Sequence, residues 1–528
     1  MTTLIPREPY SPGGAEPALS KGPQATIGPS GKSDRHLQAS KANLSQFLRH
    51  GERTPVNARF QNTGLHPYWP YCAAAKHMVQ IAASKQDLTE WNGFQWRRRV
   101  EAFGRNDESI AAKGPAGEVE GICGHGELTD KGRETTYALG QRLRHLYVDQ
   151  LGFMPKIKEN ADDMYLRATP IPRALESMQQ AFWGMYPASA RTQDFPPPVI
   201  VGRSSAAETL FPNEANCRRF RQLARLFADR AAVRCKGNDL NDSEQMDYLN
   251  KLWSKYMPAN SPKVAVDGHP RLSGIMDTIN ATDAHGPATK LPSEFYDKKG
   301  RAVIDRIAVE EWFAGYNESH EYRKLGIGSL MGDVVDRMVS TALGSGWRSE
   351  AAAPEAGNKD SGKAIKFALS GCHDTTLAAI LSSLGSFENE SWPPFTSSVA
   401  IELFSQAPIP SSDAGDTLEE FSNPKNVPRS PLCPEEARKS LRKHYVRIRY
   451  NDRPVLIPGC AATPGNHLPG DKTFCTLDAF KTIVDKFTPE HWAAECMENL
   501  DEGLFGPGGP RARAGRELES RMANLRLL

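Results

Sequence analysis

Residues 49–55 read Arg49-His50-Gly51-Glu52-Arg53-Thr54-Pro55, and both the fold and the chemistry are read from them. They follow Leu44, Phe47 and Leu48, the apolar positions of a short strand that Gly51 and Pro55 stop. Two arginines four apart bracket a histidine, and glycine lets the chain turn sharply beside it. Guanidinium groups are planar forks that match phosphate oxygens. A histidine held between them faces a bound phosphoryl group, and the neighbouring positive charge disfavours its protonation. Such an imidazole stays a neutral nucleophile even in mild acid.

Two distant segments supply partners. Tyr165-Leu166-Arg167-Ala168-Thr169-Pro170-Ile171-Pro172-Arg173 places Arg167 at a strand end. Phe367 to Leu377 reads as strand, turn and helix start, with His373-Asp374 at the junction. Alone, the first is a salt-bridged arginine and the second a helix cap. Together with residues 49–55 they point to one crevice at the carboxyl ends of parallel strands, equipped for phosphoryl transfer.

Strand and helix signals alternate at both ends of the chain around a helical, charge-rich middle. Thr129 caps an expected helix running to about Leu151, and a strand at Met164–Arg167 precedes a helix over Arg173–Tyr186. Cys217–Ala232 and Tyr322–Leu343 read as helices, and 347–363 as a low-complexity linker. Beyond it come a strand at Ile365–Leu369, a helix at Thr375–Leu384, and strands at Val399–Phe404 and Tyr445–Tyr450. Phe474–Phe487 and Pro489–Met497 read as terminal helices. The expected organisation is a discontinuous α/β domain (44–190 and 360–504), a mainly helical cap insertion (191–359), and tails at 1–43 and 505–528.

Sixty-five basic and 63 acidic side chains in 528 residues leave a formal charge of +2, which argues against a coat for nucleic acid or anionic membrane. No run approaches the length of a membrane span. Met-Thr-Thr-Leu-Ile-Pro-Arg-Glu-Pro-Tyr has neither a basic nor an apolar signal region. The nine cysteines are scattered without a Cys-x-x-Cys pair. Both observations lead to the expectation of mostly free thiols and an intracellular location, cytoplasmic or organellar. Gly28-Pro29-Ser30-Gly31-Lys32-Ser33 resembles the end of a P-loop, but Thr26 stands where its first glycine belongs and no apolar strand precedes it.

The catalytic segments resemble those of the histidine acid phosphatases, the Arg-His-Gly-x-Arg-x-Pro branch of the histidine phosphatase superfamily, over about 44–500. Glu127-Leu128-Thr129-Asp130-Lys131-Gly132 is similar to that family's Leu-Thr-x-x-Gly helix start. Phe211-Pro212-Asn213, Trp392-Pro393-Pro394-Phe395 and Pro458-Gly459-Cys460 resemble the lysophosphatidic acid phosphatase subgroup. The resemblance implies a phosphoglycerate-mutase-like three-layer α/β/α core with a helical cap inserted. It implies hydrolysis of phosphate monoesters through a covalent phosphohistidine on His50, with Asp374 as proton donor and then acceptor. Arg49, Arg53, Arg167 and His373 are then the groups that hold the phosphoryl oxygens. No metal and no cofactor is implied. The expected partner is a small phosphorylated substrate, with a lysophospholipid as one option; a weakly active phospho-ligand-binding protein is the reading from another class.

One stretch departs from the family pattern. Lys41-Ala42-Asn43-Leu44-Ser45-Gln46-Phe47-Leu48 is only half apolar, whereas a central strand should be nearly continuous in apolar residues. Residues 11–43 therefore read as a segment standing in place of the native strand, with the nucleophile poorly anchored behind it.

Overall fold

The computed structural model describes residues 39–83, 91–238, 240–344, 346–347, 364–406 and 435–503. The readings of the terminal tails at 1–38 and 504–528, of 348–363 and of 407–434 lie outside them. The strands of the main sheet are β1 (Ala39–Arg49), β2 (Met164–Ala168), β3 (Ile200–Val201), β4 (Phe367–Cys372), β5 (Ser398–Gln406), β6 (His444–Tyr450), β7 (Arg453–Val455), β8 (His467–Leu468) and β9 (Asp471–Thr476). Their order is β8-β9-β6-β5-β1-β4-β2-β3, with β7 paired to β6. β1, β4, β2 and β3 run parallel, and β5 pairs with β1 antiparallel.

The helices longer than eight residues are α1 (Asp130–Arg144), α2 (Pro172–Met185), α3 (Arg218–Val233), α4 (Leu240–Trp253), α5 (Leu272–Ala284), α6 (Lys298–Glu318), α7 (Ser329–Ala342), α8 (Asp374–Ser383) and α9 (Leu477–Asp485). Strand side chains alternate between faces, so Leu44, Leu48, Leu166 and Leu369 pack on Leu139, Met178 and Phe182 of α1 and α2. Phe47, Val399, Ile401 and Val446 pack on the other side against Phe227, Val334, Leu377 and Phe480 of α3, α7, α8 and α9. The result is the three-layer α/β/α core expected from the sequence. Thr129 caps α1 as its position foretold, its Oγ1 accepting from Gly132 N–H at 3.3 Å. The expected helix from Phe474 starts later: Phe474–Thr476 end β9, and Thr476 caps α9.

β1 overturns the expectation of a poorly anchored nucleophile. It begins at Ala39 rather than Leu44, and it lies in the middle of the sheet with partners on both edges. Backbone pairing does not depend on side-chain type, so two ladders hold a strand that is only half apolar. Asn43 is buried, and its Nδ2 donates to the Ile365 carbonyl at 3.0 Å. Ser45 Oγ and Gln46 Oε1 are buried without partners, a cost of about 1–3 kcal/mol each that the ladders and the apolar neighbours outweigh.

The helical middle divides its packing. α3 and α7 complete the core of the sheet, while α4, α5 and the first half of α6 form a second core around Leu249, Trp253, Ile275, Ile279 and Ile304. Phe60, Leu65 and Trp69, just beyond the Arg-His-Gly segment, join that second core. The second half of α6 reaches the first core through Phe313, Ala314 and Tyr316. The cap is therefore tied to the sheet by one continuous helix and by the chain leaving residue 55.

The cysteines require a correction. Among the described residues Cys72–Cys123, Cys217–Cys496 and Cys460–Cys475 are disulfides, so six of the eight cysteines there are paired rather than free. Pairing across 279 residues has no local sequence pattern, because only the fold brings Cys217 and Cys496 together. That bond closes a long loop and constrains the unfolded chain. Replacing both Cys217 and Cys496 by Ser should lower stability by about 3–5 kcal/mol, read as a drop in the thermal midpoint; an unchanged midpoint would show that the bond adds nothing.

Candidate active site

Three neighbouring parallel strands end in one row. His50 follows β1 and donates its N–H to the Cys372 carbonyl at 3.1 Å; Thr169 follows β2 and donates to Gly371 at 3.1 Å; His373 follows β4. This is the carboxyl edge, where open α/β sheets bind ligands. Gly51 turns the chain beneath the start of α1, where a Cβ would sit 2.2 Å from the Gly132 carbonyl oxygen. A Cβ on Gly132 would meet the Glu52 carbonyl oxygen at 2.2 Å, so the two glycines are required by each other. Thr129 N–H donates to the Glu52 carbonyl at 3.0 Å, which joins the Leu-Thr-x-x-Gly segment to the nucleophile's turn.

His50 is 1% exposed. Its Nδ1 lies 2.9 Å from the Gly51 carbonyl, which can only accept, so Nδ1 carries the hydrogen and Nε2 keeps its lone pair. Burial first, then the charges of Arg49, Arg173 and Arg53, push its pKa well below the ordinary range. The His373 ring lies 5.5 Å from it, with Nε2 3.1 Å from Thr169 Oγ1. Burial and then Arg173 push His373 down to about 3. Asp374 occupies the first position of α8, where the helix dipole favours a carboxylate. Its Oδ2 receives Arg49 Nη2 at 2.8 Å and Trp392 Nε1–H at 3.0 Å, and its Oδ1 receives Thr375 N–H at 2.8 Å. Burial raises the carboxyl pKa, but Arg49, the Trp392 N–H and Arg53 together more than reverse that and hold it below the usual range.

Three guanidiniums face this row, each held at one end. Arg49 donates through Nη1 to the Pro393 carbonyl and lies 4.2 Å from the Phe395 ring centroid. Arg53 donates through Nη1 to Asp277 Oδ1 at 2.7 Å and to the Thr54 carbonyl at 3.0 Å. Arg173 donates through Nη1 to the Gly126 carbonyl at 3.3 Å, and burial followed by Arg53 pushes its pKa down to about 10. In all three, Nε is buried without a partner. An unmet buried donor costs about 1–3 kcal/mol. Three such donors on mutually repelling cations beside His50 and His373 suit an anion with several oxygens.

Arg167, expected among the phosphate ligands, is not brought to this row. Side chains alternate along β2, and Arg167 points away from the α1/α2 face and not over the sheet edge. It is 1% exposed, with Nη2 on Glu208 Oε1 at 2.5 Å and Thr209 Oγ1 at 3.1 Å. Its charged neighbours are Glu208, Arg203 and Asp333 rather than His50 or Asp374. Arg173, in the first turn of α2, returns over the edge in its place. The signal was present: the crevice begins beyond the strand's end, and Arg173 follows Thr169-Pro170 while Arg167 precedes it. Arg49, His50, Arg53, His373 and Asp374 are brought together as expected.

A cleft of about 450 Å³ opens between this edge and the cap. Its floor includes Arg49, Arg53 and Asp374, and its walls include Met276, Trp312, Trp392 and Phe395. Asp277 on α5 was not legible in sequence, since it reaches Arg53 only through the docking of the cap. Trp392 and Phe395 belong to the Trp-Pro-Pro-Phe motif, but their approach to Asp374 and Arg49 needed the fold.

A family model described as the histidine phosphatase superfamily, branch 2, matches residues 46–451. The chain belongs to that superfamily. A probable acid phosphatase of Schizosaccharomyces pombe is 36% identical over 463 residues, covering 86% of this chain and 93% of the relative. Human lysophosphatidic acid phosphatase type 6 is 26% identical over 283 residues, 53% of this chain and 57% of that protein. The Hafnia alvei phytase solved in complex with tartrate shares the fold, with a TM-score of 0.50 at 14% identity over 87% of this chain and 98% of that one. The present histidine phosphatase is accordingly an acid phosphatase, a hydrolase of phosphate monoesters that works through a phosphohistidine, as is general to the superfamily. Arg173→Ala should cut kcat/KM on p-nitrophenyl phosphate by about 10²–10³, while folded Arg167→Met, at a guanidinium held by Glu208 and Thr209, should change it by no more than about threefold. Equal losses in the two variants would return Arg167 to the phosphate site. Trp392→Phe removes an N–H that steadies ionised Asp374, so this carboxyl, the expected proton donor, stays protonated to higher pH. The descending limb of kcat/KM against pH should move upward, and an unmoved limb would show that Trp392 does not tune the acid.

Proposed function

We propose that this acid phosphatase cleaves amphiphilic phosphate monoesters, using His50 as nucleophile and Asp374 as acid and base. Nε2 of His50 attacks phosphorus in line with the ester oxygen; the N–P bond forms as the P–O bond breaks, and the Asp374 proton passes to the departing alkoxide. The free Nε donors of Arg49, Arg53 and Arg173, with His373, take the phosphoryl oxygens and the charge that gathers on them. Water then attacks phosphorus and gives a proton to the Asp374 carboxylate, and the N–P bond breaks to release inorganic phosphate and neutral His50. Depressed protonation of His50 supports an acid optimum, because the nucleophile survives at a pH where Asp374 can carry its proton.

The substrate reading rests on the cleft. Its additional arginines already face carboxylates: Arg59 lies 3.5 Å from Asp277 Oδ2, and Arg271 pairs with buried Glu311. These carboxylates offset the extra positive charge that a substrate with several phosphates would draw on. Met276, Trp312, Trp392 and Phe395 offer instead an apolar wall beside a single phosphoryl site. Lysophosphatidic acid is the model compound, and the human relative's name agrees with it. A panel of lysophosphatidic acid, a short alkyl phosphate and phytate should rank them in that order by kcat/KM, with at least about tenfold between first and last; preference for phytate would overturn the reading. His50→Ala should abolish turnover of all three, and EDTA should leave the wild type fully active. We further infer that the chain folds in an oxidising compartment, an organelle lumen or the cell exterior; its three disulfides support this.

A further inference from the structure

Arg167 and Glu208 form an ion pair whose side chains are 1% and 0% exposed. Arg167 Nε and Nη1 and Glu208 Oε2 are buried without partners. Burying such a pair contributes little stability over an apolar pair of the same volume, and the orphaned atoms make it worse. The pair is therefore a poor brick, and its other bonds lead straight to the active site.

Glu208 Oε1 receives the N–H groups of Thr209 and Leu210, both at 2.7 Å, so the chain wraps around the one oxygen that Arg167 holds. Asn213 Nδ2 fixes the segment from the other side, donating to the Glu208 carbonyl at 3.2 Å and to Ser205 at 2.8 Å. The Leu210 carbonyl accepts from Thr376 Oγ1–H. Thr376 Oγ1 in turn accepts the His373 N–H at 3.4 Å, closing the first turn of α8. Phe211 completes the strap, its ring edge-on to His373 at 6.0 Å. The turn so held carries both His373 and Asp374.

We propose that Arg167 and Glu208 are positioning residues for the proton donor: through Leu210 and Thr376 they set the backbone from which Asp374 reaches the ester oxygen. The proposal rests on Asp374 being that donor. It predicts a defect confined to proton delivery, so the leaving group is the probe. p-Nitrophenolate departs with little help, whereas an alkoxide needs the proton. Arg167→Met, Glu208→Gln and Thr376→Val should each lower kcat on a short alkyl phosphate by about 10–100-fold and on p-nitrophenyl phosphate by no more than about threefold, with KM nearly unchanged. Thr376→Ser, which keeps the hydroxyl, should restore the alkyl rate even where a variant at the buried pair fails to fold.

Asp374→Asn serves as the reference. A steep leaving-group dependence in Asp374→Asn without one in Thr376→Val or Arg167→Met would overturn the strap proposal alone. An equal loss on both substrates in the folded strap variants would overturn it too, as a merely structural role. Absence of steepness in Asp374→Asn itself would overturn the assignment of the acid, and the strap proposal with it.

Discussion

Positive charge held out of water at one sheet edge is the constraint on which the rest of this structure depends. Arg49, Arg53 and Arg173 gather around two imidazoles, with Asp374 paired to Arg49 and Asp277 to Arg53. In a partly desolvated site such charges act on one another far more strongly than in water. Burial and then these charges keep both imidazoles neutral, which is what the nucleophilic role proposed for His50 requires. Asp374 is held below the usual carboxylate range by Arg49, so the acid role proposed for it needs low pH or the negative charge of a bound phosphoryl group. The unmet Nε donors are the same constraint seen as hydrogen bonding.

The backbone is arranged to hold that edge. β1 enters it between two ladders, and the Gly51–Gly132 approach brings the cap of α1 under the nucleophile's turn. The loop carrying Trp392 to Ser397 closes the other side: Ser397 accepts the Arg49 N–H at 2.9 Å, and Thr396 N–H donates to the His50 carbonyl at 3.2 Å. The cap is joined to the edge through Asp277, whose Oδ2 also takes the Val56 N–H at 3.1 Å. One carboxylate thus ties the cap to both the backbone and an arginine of the edge.

Much of this was legible in the chain. Strand ends, the helix start at Asp374 and the Thr129 cap are local events, decided by residues within a few positions of each other. The apolar poverty of β1 misled because a composition argument weighs side chains, whereas a central strand is held first by its backbone. The cysteines misled because pairing between residues 217 and 496 is a property of the closed fold.

The sequence by itself determined the chemistry: a histidine between arginines after one strand and a His-Asp pair after another leave little else for the edge to do. Only the tertiary structure decided which arginine completes the site. Arg167 and Arg173 stand six apart in the chain. A strand sends the first to a face of the sheet, and a helix start returns the second over its edge. Side-chain direction is set by the element and its neighbours, and no spacing in the sequence carries it.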